Sequence, residues 1–175
     1  VLSRPSFDSS SLEENVRHLL HEVKEKGDEA VRKFTLEFDK VDIKELRVND
    51  KGIDQLEDSL SPELKKAIIT AKKNIDRFHS AQLVTDEIVE TMPGVRCWRR
   101  STAIEKVGIY IPGGTAPLFS TILMLAIPAK LAGCSQVVLC SPPNREGGLD
   151  AAILFTAKLA GVTKVFRVGG VQAIA

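Results

Sequence analysis

The stretch Val107-Gly-Ile-Tyr-Ile-Pro-Gly-Gly-Thr-Ala-Pro-Leu-Phe-Ser-Thr121 joins an apolar strand to a helix through a turn of small and rigid residues. Val107, Ile109 and Ile111 alternate with Gly108 and Tyr110, which is the period of a strand. Pro112-Gly113-Gly114 breaks that strand, and Pro117 suits the first turn of a helix, where a missing N–H costs nothing. The helix N-terminus that follows offers free N–H groups, so the turn is a place to hold a phosphate.

Two further units of the same kind come next. Gln136-Val-Val-Leu-Cys140 is an apolar strand closed by Ser141-Pro142-Pro143, and Lys164-Val-Phe-Arg-Val168 is another, closed by Gly169-Gly170. Between them, a helix from about Leu118 to Gly133 is apolar almost all round and is expected to be buried. A second helix runs from about Asp150 to Ala160, with Asp150 as cap and Gly161 as stop. Strands and helices alternating at this interval predict a right-handed βαβαβ unit with a parallel sheet. The ends Pro112-Gly113-Gly114, Ser141-Pro142-Pro143 and Gly169-Gly170 then fall on its carboxyl edge, where open α/β sheets bind ligands.

The usual dinucleotide fingerprint is missing. Gly113-Gly114-Thr115-Ala116-Pro117 does not match G-x-G-x-x-G, and Cys140 and Ser141 stand where an acidic residue normally holds the ribose. From periodicity alone, a nucleotide site and a Gly-Pro turn kept for packing both remain open. Gly113 and Gly114 either let the backbone approach a phosphate or adopt positive φ, and each role excludes a Cβ.

At these residues the chain resembles the histidinol dehydrogenase family. The resemblance is carried by Val107-Gly-Ile-Tyr-Ile-Pro-Gly-Gly114, Ala116-Pro-Leu-Phe-Ser-Thr121, Pro128-Ala129 with Ala132-Gly-Cys134, Val137-Val-Leu-Cys-Ser-Pro-Pro143 and Val168-Gly-Gly-Val-Gln-Ala-Ile-Ala175. Upstream it continues through Lys26-Gly-Asp-Glu-Ala30, Phe38-Asp-Lys40, Lys73-Asn-Ile75 with Phe78-His79, and Pro93-Gly-Val-Arg-Cys97. It is collinear and covers essentially the whole chain.

That resemblance implies NAD-dependent oxidation of L-histidinol through L-histidinal to L-histidine, the last steps of histidine biosynthesis, by a zinc-containing homodimer. Family members use a His preceded by Glu as base and hold zinc with Gln, His, Asp and a His of the other subunit. None of those positions falls within residues 1–175, so this segment is expected to supply cofactor contacts only and to be inactive alone. The Tyr of the Y-I-P-G-G motif maps to Tyr110 and the Gln of the G-G-x-Q-A motif to Gln172, both NAD contacts in the family; Pro112, Gly113 and Gly114 complete the expected cofactor site. A non-catalytic nucleotide-binding or subunit-association module of the same fold is the alternative.

The expected fold class is therefore α/β: a parallel-sheet βαβαβ Rossmann-like unit of aldehyde-dehydrogenase-like architecture, preceded by a mainly helical region with a β-hairpin. Residues 1–105 form the helical part of a first domain, and 106–175 begin an NAD-binding domain whose third helix is cut short. The 175 residues read as a fragment, and the rest of the molecule is expected to cover the sheet edge left bare.

In the region before Val107, Ser11-Leu-Glu-Glu14 reads as a capping box, with Leu12, Val16, Leu19, Leu20 and Val23 forming one apolar face before Gly27. A second helix starts near Asp28. Ser61-Pro62-Glu63 opens another, with Leu64, Ile68, Ala71, Ile75 and Phe78 facing inward, and Asp86 to Ser101 reads as a hairpin about Pro93-Gly94.

Composition sets bounds. Lys and Arg number 24 against 23 Asp and Glu, a net charge of +1, so there is no electrostatic case for nucleic acid or an anionic membrane. The pairs Lys65-Lys66, Lys72-Lys73 and Arg99-Arg100 read as solvated faces. No apolar run reaches the roughly 20 residues that span a bilayer, and the first residues lack a secretory pattern, so a soluble cytoplasmic protein is expected. Cys97, Cys134 and Cys140 have neither C-x-x-C nor metal spacing and read as reduced core thiols, with Cys140 a weaker candidate nucleophile. His18 and His21 lack a third ligand nearby and read as solvated; His79 is placed to meet a helix C-terminal dipole.

Overall fold

A computed structural model of the protein describes residues 10–49, 59–84, 86–114 and 117–175. Thr115 and Ala116, inside the turn quoted above, lie outside the described residues. Helix α1 (Ser10–Lys26) begins one residue ahead of Ser11, so Ser11 sits inside the first turn and is not the expected cap. Helix α2 (Asp28–Phe34) follows Gly27, whose φ of 56° turns the chain, and runs on into a π-helical turn, Thr35–Asp39. An ion-pair cluster ties α1 to α2: the Glu22 carboxylate accepts from Lys33 Nζ at 2.7 Å and Lys26 Nζ at 3.0 Å. These ammonium groups, Lys33 foremost, hold the Glu22 carboxyl down to about 2. The apolar stripe of α1 is less covered than its spacing implies, with Leu12 63% exposed.

Helix α3 (Pro62–Ser80) starts as its sequence directs, with Ser61 Oγ accepting from the Leu64 N–H at 3.2 Å. Ile68 is its anchor at 1% exposure, while Leu64, Ala71 and Ile75 are partly buried against the core. Phe78, expected to face inward, is 64% exposed, because it falls in the last turn of α3 beyond the elements that cover Ile68. His79 meets the Gln82 side chain at 2.9 Å.

The hairpin forms as the sequence predicts, β1 (Ile88–Met92) and β2 (Val95–Trp98) being antiparallel about the Pro93-Gly94 turn with Gly94 at φ 82°. Both of its faces are exposed. Cys97 on β2 is therefore exposed and not a core thiol, whereas Cys134 is buried and Cys140 half-buried.

The parallel sheet has the order β3-β4-β5, built from Lys106–Tyr110, Gln136–Ser141 and Lys164–Arg167. Two crossovers in the same direction place helices α4 (Phe119–Leu131) and α5 (Ala151–Ala160) on one face, where they pack against each other while α3 packs on α4. Helix α5 carries its predicted ends: Asp150 Oδ1 accepts from the Ala152 N–H at 2.8 Å, and Gly161 closes the helix at φ 79°. Helix α4 begins at Phe119, two residues after Pro117, so Pro117 precedes the helix and does not sit in its first turn. Its burial is one-sided: Ile122, Leu123, Ala126 and Ile127 meet the sheet and neighbouring helices, while Met124 and Leu125 are exposed.

Alternation along the strands builds two cores. Ile109, Val137, Leu139 and Val165 join Ile68, Ile122 and Leu154 on the helical face. On the other face Val31, Val41, Ile43, Leu46 and Val168 cluster with Phe166. The β5 edge is paired within the chain: Val48 N–H donates to the Val165 carbonyl at 2.9 Å and Arg167 N–H to the Leu46 carbonyl at 2.8 Å. Among the described residues no helix is long and apolar enough to cross a membrane.

Candidate functional site

Parallel pairing puts the three strand ends side by side, as expected. Register sets Tyr110 opposite Cys140 and Cys140 opposite Phe166, one row of side chains across the face away from α4 and α5. Just beyond this row the chain turns at Pro112-Gly113-Gly114, at Pro142-Pro143 and at Gly169-Gly170. A cavity of about 230 Å³ lies against the first two turns, bounded by Gly113, Gly114, Pro117, Pro142 and Asp150.

Pro142 is the wedge that sets the spacing of this edge. A Cβ on Gly113 would stand 2.7 Å from Pro142 Cγ, and one on Gly169 would stand 2.5 Å from Pro142 Cβ and 3.1 Å from its Cα. Neither Gly113 nor Gly114 has positive φ, so the conformational role anticipated for them is not what the backbone uses them for. Gly113 is small because Pro142 packs against it. Gly114 has nothing described within 4 Å of its would-be Cβ and leaves that side of the cavity open.

The two helix N-termini at this edge differ electrostatically. Asp150, the N-cap of α5, places a carboxylate against the Ala152 N–H, where it repels an incoming anion. Among the described residues no side chain caps α4, whose N-cap is Leu118, so the end after the Pro-Gly-Gly turn is the better suited of the two to a phosphate.

Tyr110 and Gln172 both meet the Gly169-Gly170 turn. The Gly170 N–H donates to the Tyr110 hydroxyl at 3.1 Å, and a Cβ on Gly170 would stand 2.7 Å from Gln172 Oε1. Gln172 lies in a short 3-10 turn, Val171–Ala173, and is 4% exposed, yet among the described residues neither its Oε1 nor its Nε2 has a hydrogen-bond partner. A buried amide with both ends unsatisfied is costly unless a further partner completes it. Gln172 is among the residues that line a second cavity of about 280 Å³ under α2, with Arg32, Arg47, Cys140 and Phe166. The expected site residues are thus divided: Pro112, Gly113 and Gly114 line the cavity beside α5, Gln172 lines the one under α2, and Tyr110 stands at the turn next to Gln172.

Burial pushes the Cys140 thiol up, away from the thiolate character a nucleophile needs. Among the described residues no group of three or more His, Cys, Asp or Glu could hold a metal ion. Sequence reasoning missed Pro142 and Arg167. Arg167 donates from Nη1 to the Gly147 carbonyl at 2.8 Å and from Nη2 to the Glu45 carbonyl, tying the end of β5 to two loops. The signal for the wedge was present: glycines end two strands where a proline ends the strand between them.

Residues 2–175 match the family model described as histidinol dehydrogenase. The chain is 53% identical over its whole length to the histidinol dehydrogenase of Bacteroides thetaiotaomicron, of which it covers 41%. It is 49% identical to that of Salmonella typhi, of which it covers 40%. A crystal structure of histidinol dehydrogenase from Elizabethkingia anophelis superposes with a TM-score of 0.93 at 44% identity, over 98% of this chain and 40% of that one. The chain therefore spans about two fifths of the length of the curated relatives it matches.

Proposed function

The chain belongs to the histidinol dehydrogenase family, and on that premise we propose that it supplies part of the NAD site of an enzyme that oxidises L-histidinol through L-histidinal to L-histidine. The observation that carries this reading is the buried Gln172 amide, two residues from the Gly170 N–H that the Tyr110 hydroxyl accepts, with both of its polar atoms unpartnered among the described residues. A planar ligand rich in donors and acceptors, such as a nicotinamide dinucleotide, satisfies an amide of that kind. The open Gly114 side and the uncapped start of α4 fit its phosphates. NAD, when bound, supplies the hydride acceptor; the residues here hold and orient it.

Zinc enters this reading through the family alone, and no residue of this chain is assigned to it. Family membership likewise supports a homodimer, a cytoplasmic location and a division into a helical region, 1–105, and the start of an NAD-binding domain, 106–175. Residues 1–175 alone are proposed to oxidise no histidinol, and steady NADH production from that purified segment would overturn the proposal. The central test is NAD titration of the intact protein. Gln172→Ala is expected to weaken binding by about tenfold, the worth of a lost amide contact in a dry site. Tyr110→Ala is expected to raise the KM for NAD far more than that for histidinol. Unchanged NAD affinity in both variants would sink the reading.

A further inference from the structure

We propose that Tyr110 is a positioning residue: its hydroxyl fixes the Gly169-Gly170 turn, and through that turn it sets the Gln172 amide. Tyr110 ends β3, the sheet edge opposite β5, yet its phenol oxygen is hydrogen-bonded at 3.1 Å to a backbone N–H that follows β5 and lies 60 residues downstream. Two inter-strand spacings of about 4.8 Å separate β3 from β5, so among apolar-bodied side chains only one with a polar atom at its far end can tie the two. The hydroxyl accepts this bond and keeps its own proton to donate elsewhere.

The turn it holds admits few alternatives. Gly170 has φ 60° and ψ −160°, a conformation that residues with a Cβ rarely adopt, and Gln172 Oε1 occupies the space where that Cβ would stand. Behind it, Gly169 is pressed against Pro142. Rotation of the Gly170 peptide would therefore carry the 3-10 turn with it and move the Gln172 amide, and the Tyr110 hydroxyl accepts the N–H that would be lost in that rotation. Cofactor contact by Tyr110 needs only its ring; this second duty needs its oxygen.

Because the functional consequence rests on the reading of Gln172 as an NAD contact, the test has an arm that does not involve NAD. In the intact protein without ligand, Tyr110→Phe keeps the ring and removes the acceptor. Amide exchange of the peptide covering residues 168–175, followed by mass spectrometry, is expected to speed up about fivefold, as loss of one ordinary hydrogen bond implies. The NAD dissociation constant is then measured for wild type, Tyr110→Phe, Gln172→Ala and the double variant. Tyr110→Phe is expected to weaken binding about fivefold when Gln172 is present and less than about twofold when it is Ala. Unchanged exchange overturns the assignment of the turn to Tyr110. Faster exchange with fully additive binding losses overturns the coupling to Gln172. Faster exchange with unchanged affinity in both single variants leaves the turn assignment standing and overturns the NAD reading.

Discussion

Pro112-Gly113-Gly114 and Val168-Gly169-Gly170 look alike as sequence, each ending a strand of the same sheet in a glycine pair, but the structure sets the four glycines in three different situations. Gly113 and Gly169 are both small because Pro142, at the end of the strand between them, fills the space on either side. Gly170 is a glycine for its backbone, at φ 60°, with Gln172 folded over it. Gly114 has neither constraint among the described residues. A glycine pair at a strand end is thus not one signal: a steric role, a conformational role and a position under neither constraint sit side by side.

The largest effect is expected at the most confined position. Gly169→Ala drives a Cβ into Pro142 Cβ and against its Cα, atoms that cannot give way as a side-chain tip can, and should cost about 3 kcal/mol in denaturant unfolding. A loss below about 0.5 kcal/mol would show that the edge relaxes and that Pro142 is no wedge. Gly170→Ala comes next, at about 1 to 2 kcal/mol, for its positive φ and its contact with Gln172.

Gly113→Ala should cost about 1 kcal/mol, since the atom it meets is the Pro142 ring Cγ, which can pucker away. Combining it with Pro142→Ala sharpens the comparison: the Gly113 penalty should disappear in that background while the Gly169 penalty, set by Cα and Cβ, largely persists. Equal relief at both positions would mean that the two turns are confined in the same way. The smallest stability effect belongs to Gly114→Ala, within about 0.5 kcal/mol, because its Cβ meets no described atom. If this open side admits a phosphate, the same variant should still weaken NAD binding several-fold by titration. A variant that melts early and binds NAD normally would break the distinction between Gly113 and Gly114.

Much of this was legible because it is local. Asp150 and Gly161 bound α5, Ser61 starts α3, and Pro93-Gly94 turns the hairpin, each through contacts within a few residues. Errors fell where burial depends on what lies opposite. Phe78 and Cys97 have apolar character suited to a core, but the turn of α3 and the hairpin that carry them have nothing described packed over them. For the candidate site, the family resemblance supplied Tyr110 and Gln172 and the residues themselves the Pro-Gly-Gly turn, but not the separation of that turn and Gln172 onto two cavities.

By itself the sequence determined the order of strands and helices, the parallel βαβαβ unit and the meeting of three strand ends on one edge, since periodicity, caps and crossover handedness act over short spans or follow from chain chirality. Only the tertiary structure decided that Leu46–Val48 closes the β5 edge, that Pro142 separates two glycines, and that Tyr110 reaches Gly170. These contacts join residues tens to more than a hundred positions apart, and which of them form is set by how whole layers pack, a quantity that no local pattern of residue types encodes.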